Sequence, residues 1–560
     1  MLKRVGIGLE LFHELIASNS YYVDKTGFIR TVFQDYSSKI MLITRPRRFG
    51  KTLTMSTFCD FLSLDPSNPG DVSRQEKWFQ GTSILDDHDF CREHMGRYPV
   101  IFITLKTVEG KNFADAYHQL ASTVYTMYAK FRYLADSDHL SSDETGDFRQ
   151  YLNKSFLMDP ATGSNAVKDS LETLLRLLRI HHGIPPVLLI DEYDVPIAKA
   201  AHNGYYRDML DMISVFLGKA LKTNEDLGRA VLTGCLRAAK ESIFNGLNNL
   251  QICSVIDKDD DSISQGVGFT REETRSVLAY YGLEDYAEHA ARNYDGYNFG
   301  YVPMYCPWDV MSFCNANYRN VGRPGREVTV GNYWLNTSGN DVIEEFMGFI
   351  SPEELDMLQD LLDGRHIRTV ISPALCYGDL SLHRVKDFWT LLLFTGYLTA
   401  DLAFKPEKRD EYSLYIPNEE IRDCFRTKIL DFFACNPVMQ NHAEEFSRGL
   451  FSGDEVLVQN CLRGLLAKYV SIRDFATNAP RENYYHGFIN GLLVNGVSLI
   501  EEQKSNFESG DGYIDLIIKS SAMTEVIAVL ELKQTPDLRQ DKALIARKAL
   551  EQITEKKYEL

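Results

Sequence analysis

Ile40-Met-Leu-Ile-Thr44-Arg45-Pro46-Arg47-Arg48-Phe49-Gly50-Lys51-Thr52-Leu53 is the stretch that decides the fold. Residues 40–43 are a short apolar run of strand length, and Met55 and Phe58 carry helical spacing onward from Lys51. Strand, loop and helix therefore come in the order a phosphate cradle needs. A glycine ahead of the lysine lets the backbone wrap an anion, and successive N–H groups with the helix N-terminus supply positive potential. Lys51 is placed to reach β and γ phosphates and Thr52 to ligate Mg²⁺. Arg45 stands where the usual pattern has its first glycine, while Pro46, Arg47 and Arg48 keep the loop short, stiff and cationic. The competing reading is a basic turn before an ordinary helix.

Pro185-Pro186-Val-Leu-Leu-Ile190-Asp191-Glu192-Tyr193-Asp194 weighs against that alternative. An apolar strand delivers two carboxylates at its C-terminal end, where ligands of open α/β sheets sit. Asp191 is expected to hold Mg²⁺ directly or through water, and Glu192 to polarise the water that attacks a γ-phosphate. A third strand, Ala230-Val-Leu-Thr233-Gly234, leads into Cys235-Leu-Arg237. Thr233 is a candidate γ-phosphate sensor and Arg237 a candidate for neutralising transition-state charge, although Arg237 reads equally as a surface residue of a helix.

Around these motifs, residues 40–43, 100–105, 187–190, 230–232 and 252–256 are short apolar runs separated by longer helical stretches. That alternation marks a mostly parallel sheet. From Phe269 onward the pattern turns to helices with aromatic-rich loops, and residues 385–393 and 421–433 are amphipathic without a catalytic motif. Strand-like runs return at 512–519 and 525–533, followed by a charged amphipathic helix at 541–558.

The chain has 560 residues, 60 Lys and Arg against 78 Asp and Glu, and a formal net charge of -18. This length exceeds one core, and the net charge repels a phosphate backbone, so contact with nucleic acid has to be local. The ten cysteines are scattered, with no CxxC pair and no Cys/His group at zinc spacing, and read as reduced thiols. No segment is apolar over the roughly 18 residues of a membrane span. A soluble, cytoplasmic protein is expected, with no membrane partner.

At these residues the chain resembles a bacterial family of AAA-ATPase-like proteins that carry a PD-(D/E)XK nuclease-superfamily domain at the C-terminus. The resemblance rests on Tyr22-Val-Asp24-Lys25-Thr26, the stretch from Arg45 to Leu53, Leu189-Ile-Asp-Glu-Tyr-Asp194, Ser242-Ile-Phe-Asn-Gly-Leu-Asn-Asn249, Tyr294-Asp-Gly-Tyr297, Tyr333-Trp-Leu-Asn-Thr-Ser-Gly-Asn340 and Tyr485-His-Gly487. An arginine at position 45 is usual in that family. The resemblance implies an ATP-binding RecA-like domain with both Walker motifs in one chain. The residues expected to hold the nucleotide are Arg45, Pro46, Arg47, Arg48, Phe49, Gly50, Lys51, Thr52, Leu53 and Thr233. Asp24 and Lys25 are expected either to line the nucleotide pocket or to cap a helix.

Near the C-terminus, Gly512-Tyr-Ile-Asp515 precedes Val529-Leu-Glu531-Leu-Lys533. This sets an Asp on one strand and a Glu and Lys, both facing one side, on the next. Asp515 and Glu531 are candidates to share a second Mg²⁺ or Mn²⁺, with Lys533 activating the water. Glu502 is a further candidate carboxylate, and Gln552 resembles the polar residue often found on the following helix. Two features weigh against cleavage: the segment has more acidic than basic residues, and it ends just after the helix, short of the superfamily's further strand.

The expected architecture is α/β. A RecA-like P-loop ATPase domain with a mostly parallel sheet occupies 1–265, followed by a helical lid region at 266–340 and a helical middle domain at 341–480. A restriction-endonuclease-like α/β domain without its last strand occupies 481–560. The expected function is ATP hydrolysis, by Lys51, Thr52, Asp191, Glu192 and Arg237, coupled to a C-terminal domain that acts on DNA or RNA through Asp515, Glu531 and Lys533. The alternative is a nucleotide-dependent switch that binds a protein partner and carries an inactive nuclease-like domain. A homo-oligomer is compatible with either.

Overall fold

Five strands, β1 (Ile40–Thr44), β2 (Val100–Thr104), β3 (Val187–Asp191), β4 (Arg229–Gly234) and β5 (Leu250–Cys253), form one parallel sheet in the order β2-β3-β4-β1-β5. The computed structural model describes residues 2–334 apart from 36–37, 238–246, 248, 258–260, 322 and 324–325. From 352 onward it describes all but 381, 383, 402, 436, 470–488, 490–492, 494–498, 510–511, 522–525, 534–541 and 556–560. The family-like stretches 335–340 and 485–487, and most of 242–249, lie outside the described residues.

The sheet follows from its sequence. β1 (IMLIT) and β3 (VLLID) are buried along their whole length, as parallel strands covered on both faces must be. Helices Lys51–Leu62, Phe113–Ala129, Pro160–His182 and Tyr206–Leu221 alternate with the strands. The longest is bounded by local chemistry: the Asp159 side chain caps its first turn, Pro160 occupies the first helical position, and Gly183 ends it in the left-handed region at φ 68°. β5 begins and ends earlier than the apolar run 252–256 suggests. Asp257 accepts hydrogen bonds from the Ser254 backbone N–H (2.7 Å) and hydroxyl (2.9 Å), turning the chain before Val255 and Ile256.

Because every strand is parallel, the segments leaving β1, β3 and β4 emerge at one end of the sheet. The strand order places β4 between the other two.

The region beyond Phe269 has the expected helices, Arg271–Tyr280, Ala287–Tyr294 and Pro307–Asn317. It also has a small antiparallel sheet of β6 (Phe269–Thr270), β7 (Tyr297–Phe299) and β8 (Val302–Tyr305), ordered β6-β8-β7. Thr270 and Glu273 form a reciprocal capping box on the first of these helices. Another three-stranded sheet, β9 (Ile367–Val370), β10 (Thr399–Ala400) and β11 (Glu411–Tyr415), lies in the stretch expected to be helical. These strands are two to five residues long, too short for a period-2 pattern to stand out.

Residues 1–337 and 368–421 make one compact unit, and residues 338–367 and 422–560 another. The second unit carries the antiparallel sheet β12 (Ile500–Ser509), β13 (Gly512–Ser520) and β14 (Ile527–Leu530). Leu516 and Ile518 of β13 are fully buried against Phe446, Cys461 and Leu493, each contributing about 1.5–3 kcal/mol of burial. β12 was not legible as a strand, since Glu501-Glu-Gln-Lys-Ser-Asn has no apolar alternation. Pairing with β13 defines it. Among the described residues no helix is long and apolar enough to cross a membrane.

Candidate functional site

The loop after β1 sorts its cations into different tasks. Arg45 is 1% exposed, and its guanidinium turns inward, donating to the carbonyls of Thr44 (2.9 Å), Cys253 (3.2 Å) and Ile263 (3.0 Å) over the Phe299 ring. Burial lowers its pKa to about 10, still well above neutrality. Arg48 lies with its guanidinium 4.2 Å over the Trp308 ring, in a left-handed conformation at φ 71°. Phe49 is buried between Tyr297 and Phe299. Gly50, at φ 87°, makes the turn into helix Lys51–Leu62. Arg47 keeps solvent-exposed surface on the loop although the surrounding chain partly desolvates it; that desolvation acts against its charge, and Cys235, Tyr377, Tyr397 and Glu192 together outweigh it and hold its pKa above the ordinary value.

Lys51 is nearly buried. Its ammonium folds back onto the loop, donating to the carbonyls of Arg45 (3.1 Å) and Pro46 (2.9 Å), and lies 3.9 Å from the Cys235 sulfur. These carbonyls supply acceptors for a buried charge. The same ammonium is the group an anion in the loop would draw outward.

Beside it, Asp191 is fully buried at the end of β3 and receives two hydroxyls. Thr52 donates to Oδ2 at 2.7 Å and Thr233 to Oδ1 at 2.6 Å. Three residues from three segments thus meet at one carboxylate. Glu192 follows in a left-handed conformation at φ 52°, a costly backbone state for a non-glycine residue, and the Thr233 hydroxyl accepts from its N–H at 3.4 Å. Burial raises the Glu192 pKa; Lys51 and Lys106 oppose that rise, while Asp191 and Asp194 add to it.

Asp194 was not foreseen as part of this arrangement. It is 1% exposed, and its Oδ2 accepts from the backbone N–H groups of Cys235 (2.9 Å) and Leu236 (3.0 Å) and from the Tyr377 hydroxyl (2.9 Å). The carboxylate therefore ties the turn after β3 to the turn after β4. A methyl group on Gly234 would lie 2.7 Å from Asp194 Oδ1 and 2.5 Å from the Tyr193 ring, so this approach of the two turns needs a glycine. The acidic run 191–194 was the available signal, but no pattern in it separates a scaffold carboxylate from a ligand.

In the second unit, Asp515 lies on β13 and Glu531 directly follows β14. The antiparallel register pairs Leu516 with Leu530, and one further step sets Asp515 opposite Glu531. Asp515 Oδ2 accepts from the Leu532 N–H at 2.7 Å, and Lys533 Nζ donates to Glu531 Oε1 at 2.8 Å, with the Glu531 side chain only 2% exposed. Asp515, Glu531 and Lys533 are thus gathered on the face opposite buried Leu516 and Ile518. Glu502 does not join them. It pairs with Lys519, four residues along β13 from Asp515 and so about 13 Å away, and its carboxylate is bound to Lys504 at 2.8 Å. The side chain of Gln552 lies outside the described residues.

Residues 6–244 match the family model described as "Predicted AAA-ATPase", and residues 480–560 match the PD-(D/E)XK nuclease superfamily. This chain joins an AAA-ATPase-like domain to a PD-(D/E)XK nuclease-superfamily domain. It is also similar to a protein of Azotobacter chroococcum mcd 1 described as "Uncharacterized protein in vnfD 5'region", 23% identical over 99% of this chain and 93% of that protein.

Within the ATPase-like domain, Arg237 is not directed at the Lys51 loop. Its guanidinium is bound to both carboxylate oxygens of Asp257, the residue that holds the turn after β5. A partly buried arginine is held by the nearest carboxylate, and 20 residues of sequence separation hid that partner. Asp24 and Lys25 also act as ties. Asp24 accepts from Thr26 N–H (2.9 Å), Thr26 Oγ1 (2.7 Å) and Ser83 N–H (2.7 Å). Lys25 donates to the Gln265 carbonyl (2.7 Å) and to Glu273 (2.6 Å), joining the N-terminal segment to the helix that opens at Arg271.

Proposed function

We propose that this chain binds ATP with Mg²⁺ at the carboxyl end of the parallel sheet and hydrolyses it. The observation that carries this reading is the convergence of Thr52 and Thr233 on Asp191 at the end of β3, with the Lys51 ammonium folded onto the adjoining loop. Thr52 and Asp191 present a hydroxyl and a carboxylate oxygen within hydrogen-bond reach, a hard-oxygen set that suits Mg²⁺. Bound there, the metal would supply charge neutralisation at the β and γ phosphate oxygens. Lys51 releases the carbonyls of Arg45 and Pro46 to hold phosphate, the loop N–H groups orient it, and Thr233 reports its terminal oxygens to Glu192. Glu192, in its left-handed turn, polarises the attacking water. Its raised pKa keeps it a better proton acceptor than an exposed glutamate.

For the C-terminal domain we propose divalent-metal binding by Asp515 and Glu531, with Lys533 as the activating cation. Two facing carboxylates fit Mg²⁺, which keeps several waters and takes one or two protein carboxylates; among the described residues no group of three or more candidate ligands gathers at one point. Nucleic acid is the proposed substrate, with cutting governed by nucleotide state. The acidic balance of residues 481–560 favours a second reading, in which this domain does not cut and the protein is a nucleotide switch for a protein partner.

The test is ATP hydrolysis by the full chain, with wild type set against Lys51→Ala, together with Mg²⁺- or Mn²⁺-dependent cleavage of single- and double-stranded DNA and RNA, with and without ATP, set against Lys533→Ala. Phosphate release that Lys51→Ala abolishes, and cleavage that Lys533→Ala abolishes, support the first reading. ATP binding with no cleavage under any condition supports the switch. A wild type that does not bind ATP overturns both.

A further inference from the structure

The ATP site proposed above has a wall that lies outside the matched range 6–244. Tyr377, Gly378 and Gly396, from the segment that returns to the first unit, pack against the turn and helices after β3 and against the Lys51 loop. Three contacts place them. The Tyr377 hydroxyl donates to Asp194 Oδ2 at 2.9 Å, both groups being buried. Gly396, at φ 94°, backs onto the loop so closely that a methyl there would lie 2.7 Å from Pro46 Cβ. Gly378 abuts the Tyr206 ring, where a methyl would lie 2.7 Å from its atoms. Two glycines at such approaches leave the wall little freedom to sit elsewhere.

The Tyr377 contact reaches the reacting end of the site through one carboxylate. Asp194 holds the Cys235 and Leu236 N–H groups after β4 and stands two residues from Glu192, whose backbone is in a strained state that its surroundings must enforce. Burial and the neighbouring carboxylate raise the phenol's pKa well above its ordinary value, so Tyr377 remains a donor at any pH the protein meets.

We propose that Tyr377 is a positioning residue for ATP hydrolysis, holding Asp194 and through it the turns that carry Glu192 and Cys235, so that the site is complete only with residues 371–398 seated. This rests on the ATPase reading of the same site. Tyr377 does not touch nucleotide; it fixes where Glu192 stands relative to the Lys51 loop.

The experiment measures kcat, KM and equilibrium ATP affinity for the full-length wild type, Tyr377→Phe and Gly396→Ala, with pre-steady-state single turnovers to count active sites. Tyr377→Phe is expected to lower kcat per active site about tenfold, the size of one lost positioning contact, with ATP affinity within about twofold of wild type. A purely structural role would instead lower the fraction of active sites at unchanged kcat. Gly396→Ala, which pushes on Pro46, is expected to weaken ATP binding as well, and its kinetics decide the matter if Tyr377→Phe does not fold. A wild type that hydrolyses ATP alongside a Tyr377→Phe protein of equal kcat overturns the inference alone. A wild type that binds without turnover, or does not bind, overturns it together with the ATPase reading.

Discussion

The Thr52 hydroxyl lies 2.7 Å from Oδ2 of Asp191, although 139 residues separate them in the chain. With Thr233 on the other oxygen, the carboxylate is satisfied by two hydroxyls at the point where the proposed Mg²⁺ would sit. Asp191→Ala is therefore expected to weaken ATP binding in Mg²⁺ by at least about tenfold while leaving binding in EDTA nearly unchanged, because the lost group acts through the metal. Calorimetric titration in both buffers checks this; an equal loss in both would mean that Asp191 serves only the fold.

Glu192→Gln should bind ATP like the wild type and hydrolyse it on the order of 100-fold or more slowly, the usual scale for a lost general base. Stability gives an independent check. Burial raises the Glu192 pKa, so the folded protein holds this proton more tightly than the unfolded chain does. The stability from that group is fully present below the unfolded glutamate pKa and is lost as pH rises through the folded one. Glu192→Gln is thus expected to be more stable than wild type at neutral pH, with the gap closing as pH falls toward the ordinary glutamate value of 4.5. Thermal melts from pH 4 to 8 measure it, and a gap that does not change with pH would contradict the assignment.

Arg45→Gly, which writes the usual first glycine back into the loop, is expected to destabilise the protein. It removes a buried guanidinium that bonds three carbonyls, at a cost of about 3 kcal/mol or more. Arg47→Ala, at an exposed position, should cost little stability. Urea melts of the two variants compare them directly, and equal midpoints would refute this division of labour.

In the nuclease-superfamily domain, Mn²⁺ is expected to raise the melting temperature of the wild type but not of an Asp515→Asn, Glu531→Gln double variant, since ligand binding stabilises only a fold that retains the site. Lys533→Ala should show a larger Mn²⁺ shift than wild type. Without Lys533, the nearly buried Glu531 carboxylate loses the ammonium now bonded to it at 2.8 Å, and a metal can take its place. Calorimetry with and without Mn²⁺ decides it; a shift that persists in the double variant would place the metal elsewhere.

By itself, the sequence determined what is local. Apolar runs of strand length, the glycine before Lys51 and the Asp191-Glu192 pair at a strand end specify a parallel sheet with a glycine-lysine loop at its carboxyl end, because backbone preference and periodicity act over a few residues. Asp515, Glu531 and Lys533 were legible for the same reason, through the two-residue period of a strand. Tertiary structure alone decided which cations face the site. Arg45 turns inward because three carbonyls converge behind it, and Arg237 is claimed by Asp257. It alone also made a strand of the polar Ile500–Ser509, whose pairing partner supplies what its own side chains do not. The contact from Tyr377 to Asp194 spans 183 residues. No periodicity reaches that far: it exists because the fold returns residues 371–398 to the sheet, where a buried carboxylate requires a donor.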